Sequence, residues 1–178
     1  MSAVEVSDIM SGVLSSRMQN AEILRVPIAD GGEGTTDCFI DALKGEKVLA
    51  KTQDPFGKPF TGYYGRVKTT AIIELAMAAG LHHCSGKLSP LETSTYGVGV
   101  MMKHAIDSGC KELLLGLGGS CTTDGGCGIA AALGTKFYNG RGELFIPVGQ
   151  SLCEIDRIDT RESNTFVDGV KIKALCDI

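Results

Sequence analysis

The sequence contains no run of lysine or arginine, no CxxC pair and no apolar stretch of membrane-spanning length. Each absence excludes a class. Without a basic stripe, a nucleic-acid groove or an anionic-membrane surface is not expected, and the net charge of −4 points the same way. Seven cysteines, an odd number, suggest neither a disulfide framework nor a zinc site. The three histidines, His82, His83 and His104, form no metal-ligand pattern and are expected on loops or the surface. No signal-peptide pattern precedes the first helical segment, so a reducing cytoplasm is the expected location. No low-complexity linker interrupts the chain. With 43% apolar and 21% charged residues in 178, the composition is that of a soluble globular protein.

What is present in quantity is glycine, 24 residues. The glycines gather at 31–34, 97–99, 116–119 and 125–128. Such clusters mark turns or places where backbone approaches something closely. Residues 3–17 place Val6, Ile9, Met10, Val13 and Leu14 on one helical face. The segment 23–29, ILRVPIA, predicts a buried strand, followed by a glycine loop and the helix TTDCFIDAL. Turn signals within 47–69 predict a hairpin. TAIIELA and ELLLGLG predict buried strands, a helix is expected over about 95–108, and CGIAAALG predicts a helix stopped at Gly134. VKIKALCD predicts a last strand. Alternating strands and helices predict an α/β fold, with a largely parallel sheet, flanking helices and an antiparallel or α+β annex.

Open α/β sheets bind ligands at the carboxyl ends of their strands, where both glycine loops fall. In GLGGSCTTDGGCG, residues 116–128, glycines let backbone N–H groups converge on an anion. The following helix is expected to add unpaired N–H donors and the positive end of its dipole. Ser120, Thr122 and Thr123 supply hydroxyls for phosphate oxygens or a metal, and Asp124 suits Mg²⁺ or a proton. The alternative is a tight strand-to-helix turn with capping side chains. No lysine completes a Walker A loop and GxGxxG is absent. In ADGGEGT, Asp30 and Glu33 suit Mg²⁺ or substrate hydroxyls, or else cap a helix. Thr93, Ser94 and Thr95 extend a phosphate cradle or cap the next helix. Glu74, an acid in a buried strand, faces a cleft or an edge. Asp177 is placed to point into the same cleft, and Cys121 and Cys127 are expected as small fillers.

Five segments, VPIADGGEGT, IELAMAAGL, SPLETSTYGVG, GLGGSCTTDGGCGIAAALG and ALCD, together resemble the glycerate kinase family across essentially the whole chain. The resemblance implies ATP-dependent phosphorylation of D-glycerate to 2- or 3-phosphoglycerate, with Mg²⁺, in a cleft between two α/β lobes. Residue by residue it implies a first motif of Asp30, Gly31, Gly32, Glu33 and Gly34. A second holds Thr93, Thr95, Gly97 and Gly99, and a third Gly118, Gly119, Ser120, Thr122, Asp124, Gly125, Gly126 and Gly128. Asp30 and Asp124 are the expected catalytic and Mg²⁺-holding residues, and which one takes the hydroxyl proton is left open. The lobes are expected as 1–68 and 69–178. Family chains are about twice as long and open with a loop resembling APDSFKGSLSA, of which only Ser2-Ala3 matches, so an N-terminal-half fragment is expected. Val100 stands where the family has glutamate. The alternatives are a non-catalytic phosphate-binding fragment or a kinase for another small hydroxy acid.

Overall fold

A computed structural model of the chain describes residues 1, 3–84, 86 and 88–177. In chain order the elements are α1 (Ala3–Arg17), α2 (Thr35–Leu43), β1 (Glu46–Gln53), β2 (Pro59–Val67), β3 (Thr70–Glu74), α3 (Ala76–Ala79), α4 (Tyr96–Asp107) and β4 (Glu112–Gly116). They continue with α5 (Cys127–Ala132), β5 (Lys136–Asn139), β6 (Leu144–Phe145), β7 (Ile155–Asp159), α6 (Arg161–Phe166) and β8 (Lys171–Leu175). Short 3₁₀ turns occupy Leu81–Cys84 and Gly149–Glu154. No helix among the described residues is long and apolar enough to cross a membrane.

The main sheet has the order β1-β2-β3-β4-β8. β1, β2 and β3 are joined antiparallel, and β3, β4 and β8 run parallel. The fold is α/β as expected, and the antiparallel hairpin continues the parallel half in one sheet. The division expected between residues 68 and 69 therefore falls in a hairpin turn. Val67 faces Thr70 across it, and Lys68 takes a positive φ of 55° to close it. A second sheet, β6-β5-β7, is antiparallel and smaller.

The core follows from periodicity. In α4, Val98, Met101, Met102 and Ala105 recur at helical spacing and all are buried. They meet Ile73 of β3, Leu113 and Leu115 of β4 and Tyr64 of β2. Truncating a buried leucine such as Leu113 to alanine costs about 2–5 kcal/mol, because the cavity left behind relaxes only partly.

Residues 23–29 depart from expectation. They form no strand, and Leu24, Val26 and Ile28 are 80%, 72% and 81% exposed. Apolar content marks a segment that favours burial, but a strand exists only when a neighbour completes its hydrogen bonds. None among the described residues pairs with this one. Likewise α1 forms as its periodicity predicts, yet none of its residues is buried. The last strand forms at the sheet's outer edge, where Ile172 is exposed.

Candidate active site

The two glycine loops meet at the carboxyl ends of β4 and β8. Gly118 N–H donates to the Gly31 carbonyl at 3.0 Å, and Leu117 N–H donates to the Leu175 carbonyl at 3.1 Å. The loops thus touch backbone to backbone. A Cβ on Gly118 would lie 2.6 Å from the Gly32 Cα, which explains why Gly118 lacks a side chain. Beside this contact is a cavity of about 330 Å³ lined by Asp30, Gly32, Leu117, Gly118, Gly119, Cys176 and Asp177. Asp30 is exposed, and one of its oxygens accepts the Gly32 N–H at 2.9 Å, folding the loop back. Asp177 lines the same cavity, as its place after the last strand predicts.

On the other flank of segment 117–123 lies a cavity of about 270 Å³ lined by Ser89, Pro90, Ser120, Thr122, Thr123 and neighbouring apolar side chains. The Ser120 and Thr122 hydroxyls are 2.9 Å apart, and Thr123 donates to the Pro90 carbonyl at 2.8 Å. A broader depression of about 600 Å³ on the small sheet is lined by Asn139, Arg141, Glu143 and Asp156 among others. It lies apart from either glycine loop.

Asp124, Thr93 and Thr95 were expected to face a ligand, and the structure turns all three inward. Asp124 is 1% exposed. Its Oδ2 accepts Thr95 N–H at 2.8 Å, the Thr95 hydroxyl at 2.9 Å and Gly128 N–H at 3.1 Å, and its Oδ1 accepts Gly126 N–H at 3.0 Å. The Thr95 hydroxyl in turn accepts Ile129 N–H at 3.1 Å. Thr93, fully buried, donates to the Cys121 carbonyl at 2.8 Å. Thr95 does stand at the N-cap of α4, but its side chain makes no capping hydrogen bond; the Thr93 and Thr95 hydroxyls instead tie the start of the helix to the loop. The expected supply of unpaired donors at α5 is corrected for the same reason. Gly126, Gly128 and Ile129 N–H are already bonded within the protein, and Cys127 N–H donates to the Asp124 carbonyl at 3.1 Å. The place at α5 where a ligand anion would sit is filled by the protein's own carboxyl group.

Glu74 plays the matching part for the first loop. It is 4% exposed, so it faces neither a cleft nor an edge. Thr36 N–H, in the first turn of α2, donates to its Oε1 at 2.6 Å. Gly34, the residue before α2, has no side chain to cap with, so a strand-end carboxyl supplies the acceptor from across the sheet. Burial pushes the Glu74 carboxyl above the usual range, opposed by the backbone N–H groups of Thr36 and Gly34.

Each glycine loop therefore leads into a helix whose first turn is occupied by a buried acid, and the loops themselves interlock over a cavity. Comparison with known proteins attaches this arrangement to one family. A model of the glycerate kinase family matches residues 1–178. The chain belongs to that family. It is 40% identical over 179 residues to a glycerate kinase of Bacillus cereus, covering 99% of this chain and 47% of that protein. It is 33% identical over 181 residues to the glycerate 2-kinase of Escherichia coli, covering 100% and 48%. A crystal structure of glycerate kinase 2 from Salmonella typhimurium LT2 superposes with a TM-score of 0.87 at 31% identity, again over all of this chain and 48% of the other. The chain spans about half the length of the curated relatives it matches.

Three further residues near the glycerate kinase motifs gain a setting, His82, Cys121 and Cys127. His82, expected as a surface histidine, is exposed but stands at the loop: its Nδ1 is 3.4 Å from Glu33 Oε1. The neighbouring Leu81 N–H donates to the Gly119 carbonyl at 3.1 Å. Its sequence neighbours carry no pattern that would have marked it; only the bridge between Gly80 and Ser120 brings it there. Cys121 and Cys127 are fillers in the sense expected. Burial, then the Cys84 thiol beside it, pushes the Cys121 thiol up to about 12, far from a thiolate at neutral pH. Among the described residues no group of three or more His, Cys, Asp or Glu is arranged to hold a metal ion.

Proposed function

We propose that this chain carries the phosphate-handling part of an ATP-dependent D-glycerate kinase. The observation that supports it is the backbone contact of residues 30–34 with 117–119 over a cavity that holds both Asp30 and Asp177. Glycine-lined backbone at the carboxyl ends of parallel strands suits a transferring phosphoryl group, whose reaction asks for positioning and charge neutralisation. Asp30, Gly32, Gly118 and Gly119 face that cavity, and Ser120 and Thr122 face the one on the other flank of the loop. Asp124, Thr93, Thr95, Gly125 and Gly126 are positioning residues that hold the loop's shape. Gly31, Glu33 and Gly34 shape the first loop.

Asp30 is the better of the two aspartates to orient or deprotonate a glycerate hydroxyl, because it is exposed at the cavity whereas Asp124 is enclosed. Two carboxyl groups at one cavity also fit Mg²⁺, which commonly takes one or two protein carboxylates and completes its shell with phosphate oxygens and water. Asp30 and Asp177 would hold it, and it would neutralise phosphate charge.

Titration of the chain with Mg·ATP and with D-glycerate, followed by backbone amide NMR, tests the assignment. Shifts at Gly118, Gly119 and Ser120 that vanish in Asp30→Ala are expected for Mg·ATP. Shifts confined to other surfaces, or unchanged in Asp30→Ala, overturn it. A coupled ADP-release assay then compares D-glycerate with other small hydroxy acids. Turnover of one of those in preference to glycerate moves the substrate assignment without moving the site.

A further inference from the structure

A third segment, residues 79–82, is fastened by backbone to the second glycine loop. Leu81 N–H donates to the Gly119 carbonyl at 3.1 Å and Cys121 N–H donates to the Ala79 carbonyl at 2.9 Å, on either side of the antiparallel bridge between Gly80 and Ser120. This short ladder carries His82 to the first loop, where its Nδ1 is 3.4 Å from Glu33 Oε1. Gly80 makes the approach possible. A Cβ there would lie 2.3 Å from the Ala76 carbonyl oxygen and 2.9 Å from His82 Nδ1. The Glu33 side chain in turn lies against Gly119: a Cβ on Gly119 would stand 3.8 Å from Glu33 Cγ and 3.9 Å from its Oε1.

The imidazole is itself braced. Its ring centroid is 4.1 Å from that of His83. His83 Nε2 donates to the Met77 carbonyl at 2.9 Å, and its ring packs on Phe60 at 5.1 Å. The His82 and Glu33 side chains are 49% and 60% exposed, yet both have a defined place. That place is beside the cavity and not in it. Gly119 lines the cavity together with Asp30 and Asp177, whereas neither Glu33 nor His82 does. The position of the acid matters because like charges repel: a carboxylate released next to Gly119 opposes any anion that the loop binds.

We propose that His82 is a positioning residue for the phosphate site, its ring N–H holding the Glu33 carboxylate beside Gly119 and out of the path of an incoming phosphate. The role rests on the reading of the glycine loops as a phosphate site. His82 lies outside both loops in sequence and reaches the site only through the Gly80–Ser120 bridge.

The test titrates the 178-residue chain and its variants with Mg·ATP, read by the backbone amide resonances of Gly118, Gly119 and Ser120. His82→Ala should weaken binding about two- to fivefold, the scale of one exposed pair. His82→Asn, whose side-chain amide keeps an N–H close to the Nδ1 position, should bind as the wild type does. The double variant His82→Ala/Glu33→Gln should recover the affinity lost in His82→Ala, because the released group no longer carries charge. A merely structural role for His82 gives no such recovery. Binding by His82→Ala as tight as wild type, a loss in His82→Asn as large as in His82→Ala, or no recovery in the double variant overturns the proposal. A wild-type chain that binds no Mg·ATP overturns the phosphate reading instead. The hold on Glu33 is then judged without ligand: His82→Ala should shift the Glu33 and Gly119 amide resonances, and His82→Asn should shift them much less. Resonances that stay in place in His82→Ala overturn the positioning role.

Discussion

Two regions of the molecule are written in the same code and fare differently. In α4 and in β3 and β4, apolar periodicity coincides with burial: Val98, Met101 and Leu113 are fully enclosed. In α1 and residues 23–29 apolar residues also recur at regular spacing, yet none of them is buried. The difference is one of partners. Each buried strand of the core has ladder neighbours on both sides, and α4 lies between the sheet and α5. Hydrophobic pattern specifies which face seeks cover; it does not supply the cover.

The contrast is sharpest at Asp124, which ties α4, α5 and the glycine loop together from a fully enclosed position. Asp124→Ala leaves the Thr95, Gly126 and Gly128 N–H groups without their acceptor, and each orphaned buried donor costs about 1–3 kcal/mol. A total loss of about 3–5 kcal/mol in guanidinium unfolding is expected, with Asp124→Asn intermediate because its NH₂ group cannot accept. A loss below about 1 kcal/mol would show that the acid is not the tie described.

Gly118→Val comes next. Its Cβ would collide with the Gly32 backbone, which cannot swing aside as a flexible side chain can. Overpacking of this kind costs about 1–3 kcal/mol, and the amide resonances of residues 30–34 should shift with those of 117–120. Shifts restricted to one loop would separate what the structure joins.

Glu74 comes third and carries a pH signature. Its carboxyl is raised in the folded state, so the native protein holds the proton more tightly than the unfolded chain does. The stability this contributes is full below the ordinary glutamate range and is lost as pH rises through the raised value. Glu74→Gln, which still accepts from Thr36 N–H, should flatten that decline in urea midpoints measured across pH 4 to 8. Glu74→Ala should lose about 1–2 kcal/mol throughout, by removing the acceptor. A pH profile that is the same in wild type and Glu74→Gln would remove the acid from the account.

The smallest effects are expected on the uncovered flank. Val13→Asp or Leu24→Asp in the chain by itself should change stability by no more than about 0.5 kcal/mol, the usual scale for surface positions. A loss of several kcal/mol from either would show that α1 or residues 23–29 pack in solution and would erase the contrast between the two regions.

Much of this was legible in residue order. The hairpin at 47–69, the strands TAIIELA and ELLLGLG and the helix near 95–108 all appear where turn signals and periodicity put them. The glycine-rich segment 116–128 does lie between a strand and a helix, and its motif belongs to the glycerate kinase family. What residue order could not show is direction. Thr93, Thr95 and Asp124 sit among residues that look ligand-facing, and nothing in their spacing says that they point at one another. Glu74 and Thr36 are 38 positions apart, and only the crossing of β3 beneath α2 makes one the acceptor for the other.

By itself, then, the sequence determined where most chain elements form, residues 23–29 excepted, and which family the chain belongs to. Those follow from local forces and motif chemistry that act between near neighbours. The tertiary structure decided which acids are spent on holding the loops and which, Asp30 and Asp177, remain at the cavity. It also decided which apolar strips find cover. Burial and hydrogen-bond satisfaction depend on residues distant in sequence, so they are settled only when the sheet and its helices have come together.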